Sequence, residues 1–220
     1  MFQESSGGRH PNCAYRGFRF RTSLDNRLGD VLIQNGSLEV KAVRLFRYTD
    51  TKGKGTMTDI LALLTRYAEG PEQLEAALAG LEEANLDVAE TPESWTIRQI
   101  VHHIVDGDDL WSICIKASLG DSRGLFSYRW YWEKPQDEWA DNWGYAGREI
   151  EPSLALFRAK RCHISQLLHQ TPDAWEKVTL ITLPDGEEKA TSVRYVVEMQ
   201  TKHVDGHIED IQAIRRKHNL

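Results

Sequence analysis

The sequence predicts an all-α protein built as a four-helix bundle. Three observations carry that expectation. From Met57 onward, apolar residues recur with helical spacing in long segments; those segments are bracketed by helix start and stop residues; and one long connection separates the second from the third.

The first helical segment, "TDILALLTRYAEGPEQLEAALAGL", is expected to be interrupted near Gly70-Pro71, because proline fits a helix's first turn but not its interior. The second, "ETPESWTIRQIVHHIVDGDDLWSICIKASLG", places Thr96 as N-cap, with Gln99 three residues on to complete a capping box and Gly120 as its stop. The third, "EIEPSLALFRAKRCHISQLLHQT", has Pro152 near its first turn and Pro172 just past its end. Asp185-Gly186 in "VTLITLPDGEEKATS" signals the turn of a small hairpin before the last helix, "VRYVVEMQTKHVDGHIEDIQAIRRK". The chain has no internal repeat and no low-complexity tract.

Residues 1–56 differ in character. They contain ten Lys or Arg against five Asp or Glu, a net +5 that leaves −11 for the remainder of a chain whose total is −6. The boundary therefore falls between an N-terminal extension, 1–56, and a helical domain, 57–220. The extension offers one structural signal, a hairpin in "DVLIQNGSLEVKAV" turning at Asn35-Gly36, which needs a docking surface to be stable. Two other readings apply to it. An Arg-rich, Ser-containing start resembles a transit peptide, and "KGKGTM" is compatible with a purine-rich ribosome-binding sequence ahead of a native start at Met57.

Composition excludes several classes of function. With 27 basic and 33 acidic residues and no basic track, nucleic-acid binding is not expected. No apolar run approaches the roughly 20 residues that span a bilayer, so a soluble protein is expected, with no membrane partner. Cys13, Cys114 and Cys162 form no CxxC pair, which argues against a disulfide framework or a cysteine zinc site and for a reducing cytoplasm. "GDSRG" at 120–124 matches GxSxG in letters but follows a helical segment instead of joining a strand to a helix, so it lacks the nucleophile setting, and no glycine-rich phosphate loop is present.

The histidines are more informative. On a helical wheel, Val196, Met199, His203, His207, Ile211 and Ile214 share an apolar arc roughly 120° wide. His203 and His207, one turn apart in "TKHVDGH", converge on one point, as in helical zinc sites. In "VHHIVD" the wheel puts His103 in the arc of Ile100, Leu110, Trp111 and Cys114 and leaves His102 outside it, making His103 the third candidate ligand. Three neutral imidazoles that leave positions open to water suit a catalytic metal. The alternative is that backbone carbonyls, carboxylates or Tyr hydroxyls satisfy buried histidines without an ion. Asp210, on the face of His207, serves either reading, as a partner of the ring, as an orienter of a metal ligand, or as a general base. Asp106, Asp205 and Glu209 lie nearby in sequence but off the arc. His163 and His169 are expected to face solvent or cap their helix, and Cys114, Trp95 and Trp111 to pack in the core.

"SWTIRQIVHHIVDGDDLW", with a histidine eight positions after Trp95, and the distal "HVDGHIEDI" together resemble the DinB-like family, most closely its YfiT-type members. The resemblance covers Met57 to the C-terminus. It implies a four-helix bundle, often a homodimer, with one divalent metal on His103, His203 and His207. It also implies chemistry of one of two kinds, hydrolysis or transfer with a low-molecular-weight thiol cosubstrate such as bacillithiol or mycothiol. Imidazole ligands suit zinc and nickel equally, so the metal's identity stays open.

The connection "LFSYRWYWEKPQDEWADNWGY" is too aromatic for a disordered loop. It is expected to wall or cover the metal, with Arg129, Trp130, Trp132 and Trp139 meeting a small substrate; plain packing and a dimer seam are the competing readings. The sequence thus points to a metal-dependent hydrolase or thiol transferase. The alternative is a non-catalytic bundle that binds a partner through its aromatic loop, with the metal structural or absent.

Overall fold

The computed structural model describes residues 31–34, 37–40, 56–121, 125–182 and 185–220. The chain divides into two units, 1–60 and 61–220. In the first, β1 (Val31–Gln34) and β2 (Ser37–Val40) pair antiparallel from Val31↔Val40 to Gln34↔Ser37. That register is the expected hairpin, while Asn35-Gly36 itself lies outside the described residues, as do residues 1–30.

Four long helices dominate: α1 (Met57–Leu78), α2 (Ile97–Gly120), α5 (Ile150–Gln170) and α6 (Val193–His218), with two short ones, α3 (Arg129–Trp132) and α4 (Gln136–Asn142), in the long connection. The start signal of α2 behaves as read. The Thr96 hydroxyl accepts from the Gln99 amide while Gln99 Oε1 accepts from the Thr96 amide, closing the capping box. Ser192 caps α6 by accepting from the Tyr195 amide.

One expectation is corrected. The first helix is not interrupted at Gly70-Pro71: α1 runs through Pro71 without a break. A proline at 71 leaves the Tyr67 carbonyl without its usual donor. Arg161 of α5 supplies one, its Nη1 donating to Tyr67 O at 2.8 Å. Gly70 lies against the same guanidinium, where a Cβ would stand 3.4 Å from Arg161 Nη1. A proline that ends an isolated helix is accommodated here by a buried guanidinium.

The expected hairpin before the last helix is present as β4 (Val178–Thr182) and β5 (Glu188–Ser192), with Gly186 in its turn at φ +87°. It gains a strand the sequence did not reveal. β3 (Leu125–Ser127) pairs parallel with β4, giving the order β3-β4-β5. Three residues are too few to display alternation, and a parallel partner more than 50 residues away leaves no local signal.

The core forms two clusters. One gathers Leu74, Ile97, Ile100, Val101, Ile104, Phe157, Val204, Ile211 and Ile214; the other gathers Leu64, Tyr67, Cys114, Ile115, Tyr128, Ile164, Leu168, Val193 and Val197. Each such side chain contributes about 1.5–3 kcal/mol when fully buried. α2 packs on both α5 and α6, which puts it at the centre of the bundle and buries it on more than one face.

Candidate metal centre

His103 projects from α2, and His203 and His207 from successive turns of α6. Their ring centroids form a triangle with sides of 4.9, 4.9 and 4.6 Å, the rings meeting edge to face. One nitrogen from each lies within 4.8 Å of the others, and the His103 and His203 Nε2 atoms are 3.0 Å apart. Nitrogens that share a zinc ion at about 2.0–2.1 Å lie roughly 3 Å from each other, so the donor set fits such an ion.

The charge state fits as well. Burial, then repulsion from His203 and His207, lowers His103 to about 3. Burial, then His207 and Arg161, lowers His203 to about 4. Both rings are therefore neutral near pH 7, which is the ligand form of imidazole. His207 offers a third nitrogen in a fixed setting, because its Nδ1 is hydrogen-bonded to Asp210 Oδ2 at 3.0 Å, leaving Nε2 for the cluster. Asp210 thus stands behind His207 and orients it.

Of the other nearby carboxylates, two are engaged elsewhere and Glu209 is exposed. Asp205 pairs with Arg66, and Asp106 with Arg148 at 3.1 Å. Cys114 is fully buried among apolar residues, with its thiol pushed up to about 12 by burial, so it behaves as a small core residue. His163 and His169 are exposed, as expected.

A profile of the DinB superfamily matches residues 66–211. The chain belongs to the DinB superfamily. A Geobacillus thermodenitrificans (strain NG80-2) protein named "Putative metal-dependent hydrolase" is 26% identical over 161 residues, 72% of this chain and 85% of that one. Among solved structures, YfiT from Bacillus subtilis, described as a probable metal-dependent hydrolase with an unusual four-helix bundle topology, matches with a TM-score of 0.64. It is 19% identical and covers 78% of this chain and 94% of that chain. That likeness establishes the bundle topology. Among the described residues of this DinB-superfamily chain, no helix is long and apolar enough to cross a membrane.

The aromatic connection meets the cluster through Trp95. Its ring stands edge-on to His103 at 4.6 Å, and its Nε1 donates to Asp137 Oδ1 of α4 at 2.7 Å. Trp139 donates its Nε1 to the Tyr131 carbonyl at 2.8 Å and stacks on Tyr131, with Trp143 beside it. Trp130 and Trp132 are 45% and 39% exposed, and Arg129 is exposed and pairs with Glu133 at 3.5 Å. Of the four residues expected to meet a substrate, Trp139 is therefore an internal strut of this segment, while Arg129, Trp130 and Trp132 present themselves to solvent.

Three buried polar residues went unnoticed in the sequence. His102, which the wheel left outside the apolar arc, is fully buried: its Nδ1 pairs with Ser153 Oγ at 2.9 Å and its Nε2 with the Arg148 carbonyl at 3.2 Å. A single-arc wheel fails because the segment around Tyr145 covers α2's second face. Arg161 and Asp108, 1% and 2% exposed, form an ion pair at 2.8 Å. Both sit on the buried stripes of their helices, Arg161 with Leu154, Phe157, Ile164 and Leu168, and Asp108 with Val101, Ile104, Ser112 and Ile115. A charged residue on an apolar stripe is the sequence signal that each is buried, while their pairing leaves no local signal.

Proposed function

We propose that this chain is a metal-dependent enzyme of hydrolase or thiol S-transferase type acting on a small substrate, with zinc or nickel held by His103, His203 and His207. The observation that carries the reading is a convergent set of three imidazole nitrogens, within 4.8 Å of one another, contributed by two helices and comprising three protein donors. When bound, the ion supplies Lewis acidity, lowering the pKa of a water or of a low-molecular-weight thiol brought to it. His103 and His203 stay neutral through burial, and Asp210 keeps the His207 ring aimed at the cluster. To Asp210, which is mostly exposed, this reading also assigns the role of proton acceptor. Trp95 shields His103 from one side, and Arg129, Trp130 and Trp132 are the exposed groups of the connection that would meet the substrate.

Metal analysis of untagged protein tests the reading. About one equivalent of zinc or nickel is expected, lost in a His203→Ala, His207→Ala double variant, and turnover in hydrolysis or thiol-transfer assays should follow the metal. A wild-type chain that stays metal-free after reconstitution with both ions would sink it. The exposed indoles of Trp130 and Trp132 favour a second role for the connection, as the seam of a homodimer. Light scattering of a Trp130→Ala, Trp132→Ala variant checks this: a dimer that persists unchanged removes that role.

A further inference from the structure

Behind the candidate metal ligands lies a second, fully enclosed polar group. His203 directs Nε2 toward His103, which leaves its Nδ1 pointing inward; that atom is buried and has no hydrogen-bond partner among the described residues. Among the further atoms that share this condition are Gln200 Oε1, Asp108 Oδ2 and Arg161 Nε. Their residues are neighbours. Arg161 Nη2 contacts Asp108 Oδ1 at 2.8 Å and the Gln200 carbonyl at 3.3 Å, and Gln200 precedes His203 by three residues on α6. Gly107, next to Asp108, faces His203, since a Cβ there would lie 3.7 Å from His203 Cε1.

These four atoms have a simple complement. Nδ1–H and Nε–H are donors, while Oε1 and Oδ2 are acceptors, and one water accepts two hydrogen bonds and donates two. Buried polar groups are almost always satisfied, and polar enclosures of this kind hold water. Arg161 is otherwise committed: Nη1 serves Tyr67 O, and the guanidinium lies 3.7 Å from the Tyr67 ring centroid and 4.9 Å from that of Phe157. The ion pair is thus fixed by α1 and α5, which makes it a rigid reference against which a ring on α6 can be set.

We propose that Gln200 and Asp108 are positioning residues for His203, joined to its Nδ1 through a buried water that Arg161 also holds. The arrangement selects the tautomer with the proton on Nδ1 and the lone pair on Nε2, and it locks the ring's rotation. It rests on the reading of His203 as a metal ligand. Outer partners of this kind typically change metal affinity 10–100-fold when removed.

The test pairs a variant with a spectroscopic measurement. Gln200→Leu removes one acceptor and leaves the Arg161–Asp108 pair intact. Zinc affinity, measured by competition with a chelator, should fall about tenfold or more, and Gln200→Glu, which restores an acceptor, should recover most of it. In zinc-loaded wild-type protein, long-range proton–nitrogen NMR should show His203 with a slowly exchanging proton on Nδ1. An unchanged zinc affinity in folded Gln200→Leu, or a His203 Nδ1 proton that exchanges as freely as an exposed one, overturns the proposal and leaves the metal centre standing. Wild-type protein that binds no zinc overturns both. If Gln200→Leu does not fold, the wild-type NMR measurement decides alone.

Discussion

His103 and His203 are 100 residues apart in the chain, yet their Nε2 atoms are 3.0 Å apart in the fold. In the metal-free protein this closeness has a pH signature. Their folded values, about 3 and about 4, lie below the ordinary 6.5. Between those limits the unfolded chain binds protons that the folded chain refuses, so stability is complete above about 6.5 and declines as pH falls toward about 4. Thermal melts of chelator-treated protein from pH 7.5 to 4.5 should show this decline, with a shallower slope in His203→Gln. Equal slopes in the two proteins would contradict it.

Asp210→Ala frees the His207 ring while leaving all three ligands in place. Because the Asp210 side chain is largely exposed, water can replace part of its role. Zinc affinity should drop by about tenfold, the low end for an outer partner, with little change in melting temperature. A change in stability without one in affinity would assign Asp210 to the helix surface only.

Arg161→Met should be among the most destabilising single changes in the bundle. It strands the Asp108 carboxylate in the core and removes the donor to the Tyr67 carbonyl opposite Pro71. Breaking one side of a buried pair costs about 3–5 kcal/mol, whereas replacing both sides with apolar residues is often neutral or better. Urea unfolding should therefore rank Arg161→Met well below Arg161→Met, Asp108→Leu. The reverse order would mean that the pair is not what holds this region.

Asp137→Ala removes the acceptor of the Trp95 indole, the hydrogen bond that ties α4 to the neighbour of His103. Global stability should fall by only about 1 kcal/mol. Amide exchange in 129–143 should quicken while the long helices keep their protection, since that segment's anchoring is local. Uniform exchange across the chain would argue that the segment is held by its stacked rings alone.

How much of this was legible in the sequence varies by element and for physical reasons. Helix starts were readable because caps are local: Thr96 and Gln99 satisfy each other's backbone groups within one turn. Pro71 misled because its rescue is not local, coming from a guanidinium 90 residues away. β3 escaped for the same reason, its register being set entirely by β4. His203 and His207 were visible as a pair because a helix places i and i+4 on one face, whereas the wheel separated His103 from His102 by assuming that α2 has a single buried face, which is not so.

The sequence by itself determined where the four long helical segments lie, the Thr96–Gln99 cap, the hairpin ahead of α6 and the three histidines on apolar faces, because each depends on periodicity or on contacts within a turn or two. Only the tertiary structure decided that those histidines meet, that Arg161 and Asp108 form a buried pair behind them, and that Trp95 links the aromatic connection to His103. Those relationships join residues on different helices. They are consequences of how helices pack, and packing is set by the summed shape of whole faces, which no local pattern records.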